Sequence, residues 1–185
     1  IEDNFMSKGV VFNDNKGPVT VKNENKTPRS SILGKLIEII VVSPTEKIDL
    51  DRVPTDIEVK IQYNNLSSYR WVVEQYIGES LLIDESIKEL NQTILNGSTR
   101  LKRQMKLFYN KALSEYSIST SPFDIEKLKL FSDEVVKEVI RLASEFVQSS
   151  TDLKEGYFQE DVDQGVALIT SYSVIECIVL ENPND

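Results

Sequence analysis

Between Leu128 and Phe146, apolar residues return at Leu128, Phe131, Val135, Val139, Leu142 and Phe146, so one greasy stripe runs along a single side of a helix. A stripe of this kind is stable only when it is covered, which commits the chain to packing helices around a shared core. Shorter versions recur upstream, as Ile32, Leu36 and Ile39, then Leu66, Tyr69, Val73 and Tyr76, then Ile83, Ile87, Leu90 and Ile94, then Leu101, Met105, Phe108 and Ala112. Punctuation supports them. Ser30 or Ser31 can cap the first helix, Asn64-Asn65 the one carrying Tyr69, Ser98 or Thr99 the one carrying Met105, and Ser121-Pro122-Phe123-Asp124 combines three start signals. Gly78 reads as an interruption, with Asp84 and Glu85 in the first turn of the helix that resumes after it. Gly97 reads as a C-cap, and Ser132 as a break in the longest stripe. Val162, Val166 and Ile169 begin a last helix.

Other stretches read as β structure. Ile57, Val59, Ile61 and Tyr63 alternate strictly with Glu58, Lys60 and Gln62, the period-2 signature of a strand. Lys8 to Lys22 reads as a small hairpin around Asn13-Asp14-Asn15-Lys16-Gly17-Pro18, followed by a polar linker from Asn23 to Pro28. Ile37 to Val42 is rich enough in β-branched residues to compete as a strand. Val174 to Leu180 is apolar on every face, either a buried helix end or a terminal strand beside Ile57 to Tyr63. The fold class expected is therefore mainly α, a helical domain with a small β element made of the N-terminal hairpin and one or two short strands. Its organisation reads as a hairpin-like appendage and linker over 1–28, a short helix and connection over 29–53, and a helical C-terminal domain over 54–185.

Composition narrows the chemistry. The 185 residues contain no histidine, so Ser-His and Cys-His nucleophile pairs and imidazole metal sites cannot be assembled. A single cysteine, Cys177, allows neither an internal disulfide nor a multi-cysteine zinc site and suits a reducing compartment. The sequence carries no phosphate-cradling glycine loop and no nucleophile elbow. No apolar run has the roughly 18 residues that a membrane span needs, and no leader is read, so the expected setting is the cytoplasm. The expectation is a chain without catalytic residues, cofactor or metal.

Three groups of residues stand out. Arg100, Lys102, Arg103, Lys106 and Lys111 form a cationic run with no acid among them, on a chain whose 21 Lys and Arg against 30 Asp and Glu leave a net charge of -9. This run is a solvated helix face, a dock for an acidic protein surface, or a phosphate contact. Asp152, Glu155, Glu160, Asp161 and Asp163 surround Gly156, yet the positions where a calcium loop needs oxygens after Asp152 hold Lys154 and Gly156; a solvated connection leading into a helix N-terminus accounts for these acids. Tyr69 and Trp71 read as core or interface anchors, and Cys177 between apolar neighbours as a buried small hydrophobe.

Two segments, Ile57 to Leu66 with its Tyr63-Asn64-Asn65 ending, and Cys177-Ile178-Val179-Leu180-Glu181-Asn182-Pro183, together resemble the C-terminal domain of bacterial ABC-three-component conflict systems of the Lamassu type. The resemblance spans about residues 54 to 183, and Val10 to Asn15 with Thr27 to Ile40 resemble the preface found upstream of that domain. It implies a noncatalytic adaptor or accessory subunit that assembles an effector with an ABC or SMC-like ATPase in antiphage defence, contacting DNA only indirectly. In that reading Tyr63, Asn64, Asn65, Cys177, Glu181 and Pro183 are structural, with the asparagines capping a helix and Cys177 and Pro183 seating and ending the last element. The rival reading is a nucleic-acid-binding subunit that uses the Arg100 to Lys111 face.

Overall fold

In the computed structural model, which describes residues 29–43, 55–153, 156–176 and 178–183, the apolar stripes become helices: α1 (Ile32–Val42), α2 (Thr55–Tyr63), α3 (Arg70–Thr93), α4 (Gly97–Glu115), α5 (Ile125–Gln148) and α6 (Gln159–Ile175). The protein is mainly α. Among the described residues the only β pairing is an isolated bridge between Thr120 and Phe123. The hairpin expected over Lys8 to Lys22 lies outside the described residues, as do Cys177, Lys154 and Glu155.

Helix α6 runs through the middle. Every residue from Gly165 to Val174 is buried, and α1, α3, α4 and α5 all pack against it. An all-round buried helix needs its polar atoms satisfied. Thr170 and Ser173 turn their hydroxyls back to the carbonyls of Val166 and Ile169, each at 2.8 Å. Ser171 reaches instead into α3, donating to the Val73 carbonyl at 3.2 Å and accepting the Tyr76 N–H at 3.1 Å. Gly165 lets α1 come close, because a Cβ there would lie 2.8 Å from Ile37 Cγ1. Leu33, Leu36 and Ile37 of α1 thus belong to the same core as α3 to α6.

One expected strand is corrected, and two stretches left open between helix and strand are resolved. Residues 57–63 lie in a helix, α2, because the residues that face the core are Ile57, Lys60, Ile61 and, just past its end, Asn64, a spacing of three and four. The alternation was carried by Val59, which is exposed, and Tyr63, which is only half-buried. Ile37 to Val42 continues α1, whose start is fixed by Ser31, an extended residue with its hydroxyl 2.9 Å from the Gly34 N–H. Val174 and Ile175 finish α6, after which the chain turns: the Ile178 N–H reaches the Ser173 carbonyl at 2.9 Å, and residues 178–180 are bends, not a strand.

Helix boundaries also moved. α3 passes through Gly78 without interruption, which leaves Asp84 and Glu85 in its middle instead of its first turn. Gly97 is not a C-cap but the first residue of α4. The left-handed turn before it falls on Asn96 (φ 57°), and Asn91 Oδ1 accepts the Ser98 N–H at 2.9 Å, so neither Ser98 nor Thr99 caps. α5 begins at Ile125, three residues past Pro122, because Asp124 is the residue whose carboxylate takes the Lys127 N–H at 3.0 Å. Its kink is at Phe131 (φ -122°, ψ 17°), beside the suspected Ser132, whose hydroxyl is drawn to the Asn65 carbonyl at 3.2 Å.

The acids around Gly156 part ways. Asp152 turns inward and its carboxylate accepts the Ser31 N–H at 2.6 Å, with the Lys35 ammonium 3.3 Å away, pinning the entry of α1 to the connection that follows α5. Asp161 accepts the Phe158 N–H at 2.9 Å and caps α6, while Glu160 and Asp163 stay exposed. Burial alone would raise the Asp152 pKa, but the Ser31 N–H and the Lys35 and Ser30 side chains outweigh it and leave the carboxyl below the ordinary range. A depressed carboxyl adds stability above the unfolded value of about 3.9 and loses it as pH falls through the folded value. Asp152→Asn is therefore expected to cost about 1–2 kcal/mol at neutral pH, and its gap to the wild type should narrow in urea melts below pH ~4.

Candidate functional site

The cationic run lies on α4, whose inner side is fully committed: Leu101, Met105, Phe108 and Ala112 are buried as their spacing requires, joined by Tyr109 and Leu113. The cations divide by position. Lys102 is bound within the fold, its ammonium 2.6 Å from a Glu176 carboxylate oxygen just past the end of α6. Lys106 lies on the same flank, its ammonium 4.9 Å from the centre of the Tyr109 ring, a cation–π contact. Arg100, Arg103 and Lys111 are exposed on the outer side, and among the described residues they have no ion-pair partner. Leu107 sits among them, 47% exposed.

On other helices several cations meet acids three or four residues away, as in Lys35–Glu38, Arg70–Glu74, Lys88–Glu85, Lys129–Glu126 and Arg141 with Glu138 and Glu145, while Lys137 is exposed like the outer cations of α4. Helix α4 has no acid before Glu115, so Arg100 and Arg103 have no carboxylate within a turn on their own helix, while Glu115 lies one turn past Lys111. The positive field is local, on a chain of net charge -9.

The segments that carried the resemblance come together at a second place. Asn64, 0% exposed, pairs with the backbone of Glu181 from both ends of its amide: Nδ2 donates to the Glu181 carbonyl at 2.9 Å and Oδ1 accepts the Glu181 N–H at 3.0 Å. Its Nδ2 also reaches the Lys60 carbonyl at 2.9 Å. Asn65 takes the left-handed conformation (φ 55°) that ends α2, with the Leu66 N–H returning to the Ile61 carbonyl at 3.0 Å. The two asparagines therefore close α2 and do not start α3. That role falls to Asp133, whose carboxylate accepts the N–H groups of Ser67, Ser68 and Tyr69 at 3.1, 3.0 and 2.8 Å. Tyr63 packs its ring 5.4 Å from the Lys129 ammonium, and Pro183 is half-buried near the end of the described chain.

No protein-family model, curated protein or solved structure matches the chain.

Several residues that matter here carry no sequence signal. Lys60 is buried and donates its ammonium to the Val174 and Ile175 carbonyls at 2.7 and 2.6 Å, capping the negative end of α6 with a cation. Tyr109 donates its hydroxyl to a Glu181 carboxylate oxygen at 3.0 Å, and burial together with that carboxylate pushes its phenol well above the usual tyrosine range. Tyr76 and Tyr172 are pushed up to about 12, by burial first and then by the nearby charges of Asp84 and Glu176. These phenols stay protonated at neutral pH and act as hydrogen-bonding and packing groups. Trp71, expected as an anchor, is 54% exposed on the first turn of α3, its ring centre 6.4 Å from that of Tyr69. Among the described residues no group of three or more His, Cys, Asp and Glu is placed to hold a metal ion, and no helix is long and apolar enough to cross a membrane.

Proposed function

We propose that this chain is a noncatalytic adaptor, a helical platform whose α4 outer face holds another protein. The observation that carries the reading is the set of exposed cations Arg100, Arg103 and Lys111 around the half-exposed Leu107, a local positive ridge on a chain of net charge -9. Positive charge around an apolar side chain complements a partner surface that carries acids around an apolar centre. The resemblance of the Tyr63-Asn64-Asn65 and Cys177 to Pro183 segments suggests which partners: an ABC or SMC-like ATPase and the effector or middle component of an antiphage system.

Co-expression with the proteins encoded beside it is expected to yield a stable hetero-complex in size-exclusion chromatography. The triple variant Arg100→Glu, Arg103→Glu, Lys111→Glu should weaken that complex about 10- to 100-fold. A chain that stays monomeric beside an adjacent ATPase would sink the proposal.

The same three cations support a second reading, contact with nucleic acid phosphates. Binding of that kind would fall linearly with the logarithm of salt, with a slope close to the number of phosphates neutralised. The net charge of -9 works against it.

A further inference from the structure

We infer that the occupant of the α4 outer face is an acidic amphipathic helix of a partner protein, seated on Leu107 and held at its two ends by Arg100 with Arg103 and by Lys111; the inference rests on the adaptor reading and specifies its partner. Arg100, Arg103, Leu107 and Lys111 step by three, four and four residues, so they form one ridge along α4. The ridge is about 16 Å long at 1.5 Å per residue. It places an apolar side chain between cations roughly one turn away on either side, the layout of a small interface with a greasy centre and a charged rim.

The chemistry selects the partner class. A nucleic acid backbone offers phosphates at every step but no apolar group between them to match Leu107, and it brings a long polyanion towards a chain of net charge -9. An extended peptide would gain little, because a helix flank presents no free backbone groups to pair with. A helix with one apolar residue facing Leu107 and carboxylates a turn before and after it satisfies every group on the ridge, and its side chains can interdigitate with those of α4.

The test uses a fluorescein-labelled helical peptide of about 20 residues, long enough to hold a helix, with leucines along one stripe flanked by glutamates. A second peptide replaces the glutamates by lysines, and a short DNA duplex completes the set. Anisotropy titrations against the full chain are expected to show the glutamate peptide binding at physiological salt. Arg103→Glu should weaken it at least tenfold, and Leu107→Ser about fivefold. The triple glutamate variant should bind the lysine peptide instead. These side chains are exposed, so melting curves should match the wild type and separate lost binding from lost folding.

Failure of the glutamate peptide to bind, binding unchanged in Leu107→Ser and Arg103→Glu, tighter binding of the duplex, or occupation of the ridge by a second copy in sedimentation would each overturn the inference. The two proposals fail separately: a hetero-complex that the triple substitution weakens while the glutamate peptide does not bind removes this inference alone, whereas the absence of any complex removes the adaptor reading.

Discussion

Asn64→Ala is expected to lower the unfolding free energy by about 3 kcal/mol, among the largest effects open to a single polar substitution in this chain. Asn64 is fully buried and uses both ends of its amide, so alanine deletes its bonds to the Lys60 carbonyl and to the Glu181 carbonyl and N–H together. Each bond is worth about 1 kcal/mol net, and the partners left behind at the covered junction add a desolvation cost. For a chain of this size the loss corresponds to a fall in Tm of roughly 6–12 °C. The damage should also be local. The Asn64 pairing is what ties residues 178–183 to the end of α2, so amide exchange at Ile178 to Glu181 is expected to quicken far more than exchange in the middle of α5. Uniform quickening across all helices, or a loss below about 1 kcal/mol in urea titration, would show that the junction is held by its apolar neighbours instead.

The same junction shows why part of the fold was legible in the sequence and part was not. Helix α5 could be read because one face meets a dry core and the other meets water, and its residues follow that division: Leu128, Val135 and Val139 are buried while Glu134 and Lys137 are exposed. In α2 two of the inward positions, Lys60 and Asn64, are polar, so the helical period is hidden and the chance alternation of Ile57, Val59, Ile61 and Tyr63 is all that shows. What makes polar residues acceptable there is backbone supplied from the other end of the chain, Val174, Ile175 and Glu181, which no local window contains. Helix α6 is covered on every side over its second half, so its sequence has no polar face to set a period. The cationic run of α4 was visible as composition. Its division into Lys102, tied to Glu176, and the exposed Arg100, Arg103 and Lys111 depends on where α6 ends and could only be seen in the fold.

At the contact of α1 with α6, Gly165→Val is expected to cost about 3 kcal/mol or more, because the site has no room for even the first carbon of a side chain. A Cβ at position 165 would lie 2.8 Å from Ile37 Cγ1 and 3.0 Å from Ile37 Cγ2, and Ile37 itself is fully buried, so it cannot swing into solvent. Gly165→Ala sets two effects against each other. Alanine favours a helix interior over glycine by about 1 kcal/mol, whereas forcing helices apart in a packed core costs about 1–3 kcal/mol. Overpacking wins, and alanine should destabilise by about 1 kcal/mol net. Ile37→Ala removes both crowding carbons and alone costs about 2–5 kcal/mol through the cavity it leaves. In its presence Gly165→Ala loses its steric penalty and keeps its helix preference, so the substitution should turn stabilising. A double-mutant cycle in urea is the measurement, with a coupling of about 1–3 kcal/mol expected in favour of the pair. Strict additivity would mean that α1 and α6 do not meet at these two residues, and the packing of α1 onto the central helix would have to be redrawn.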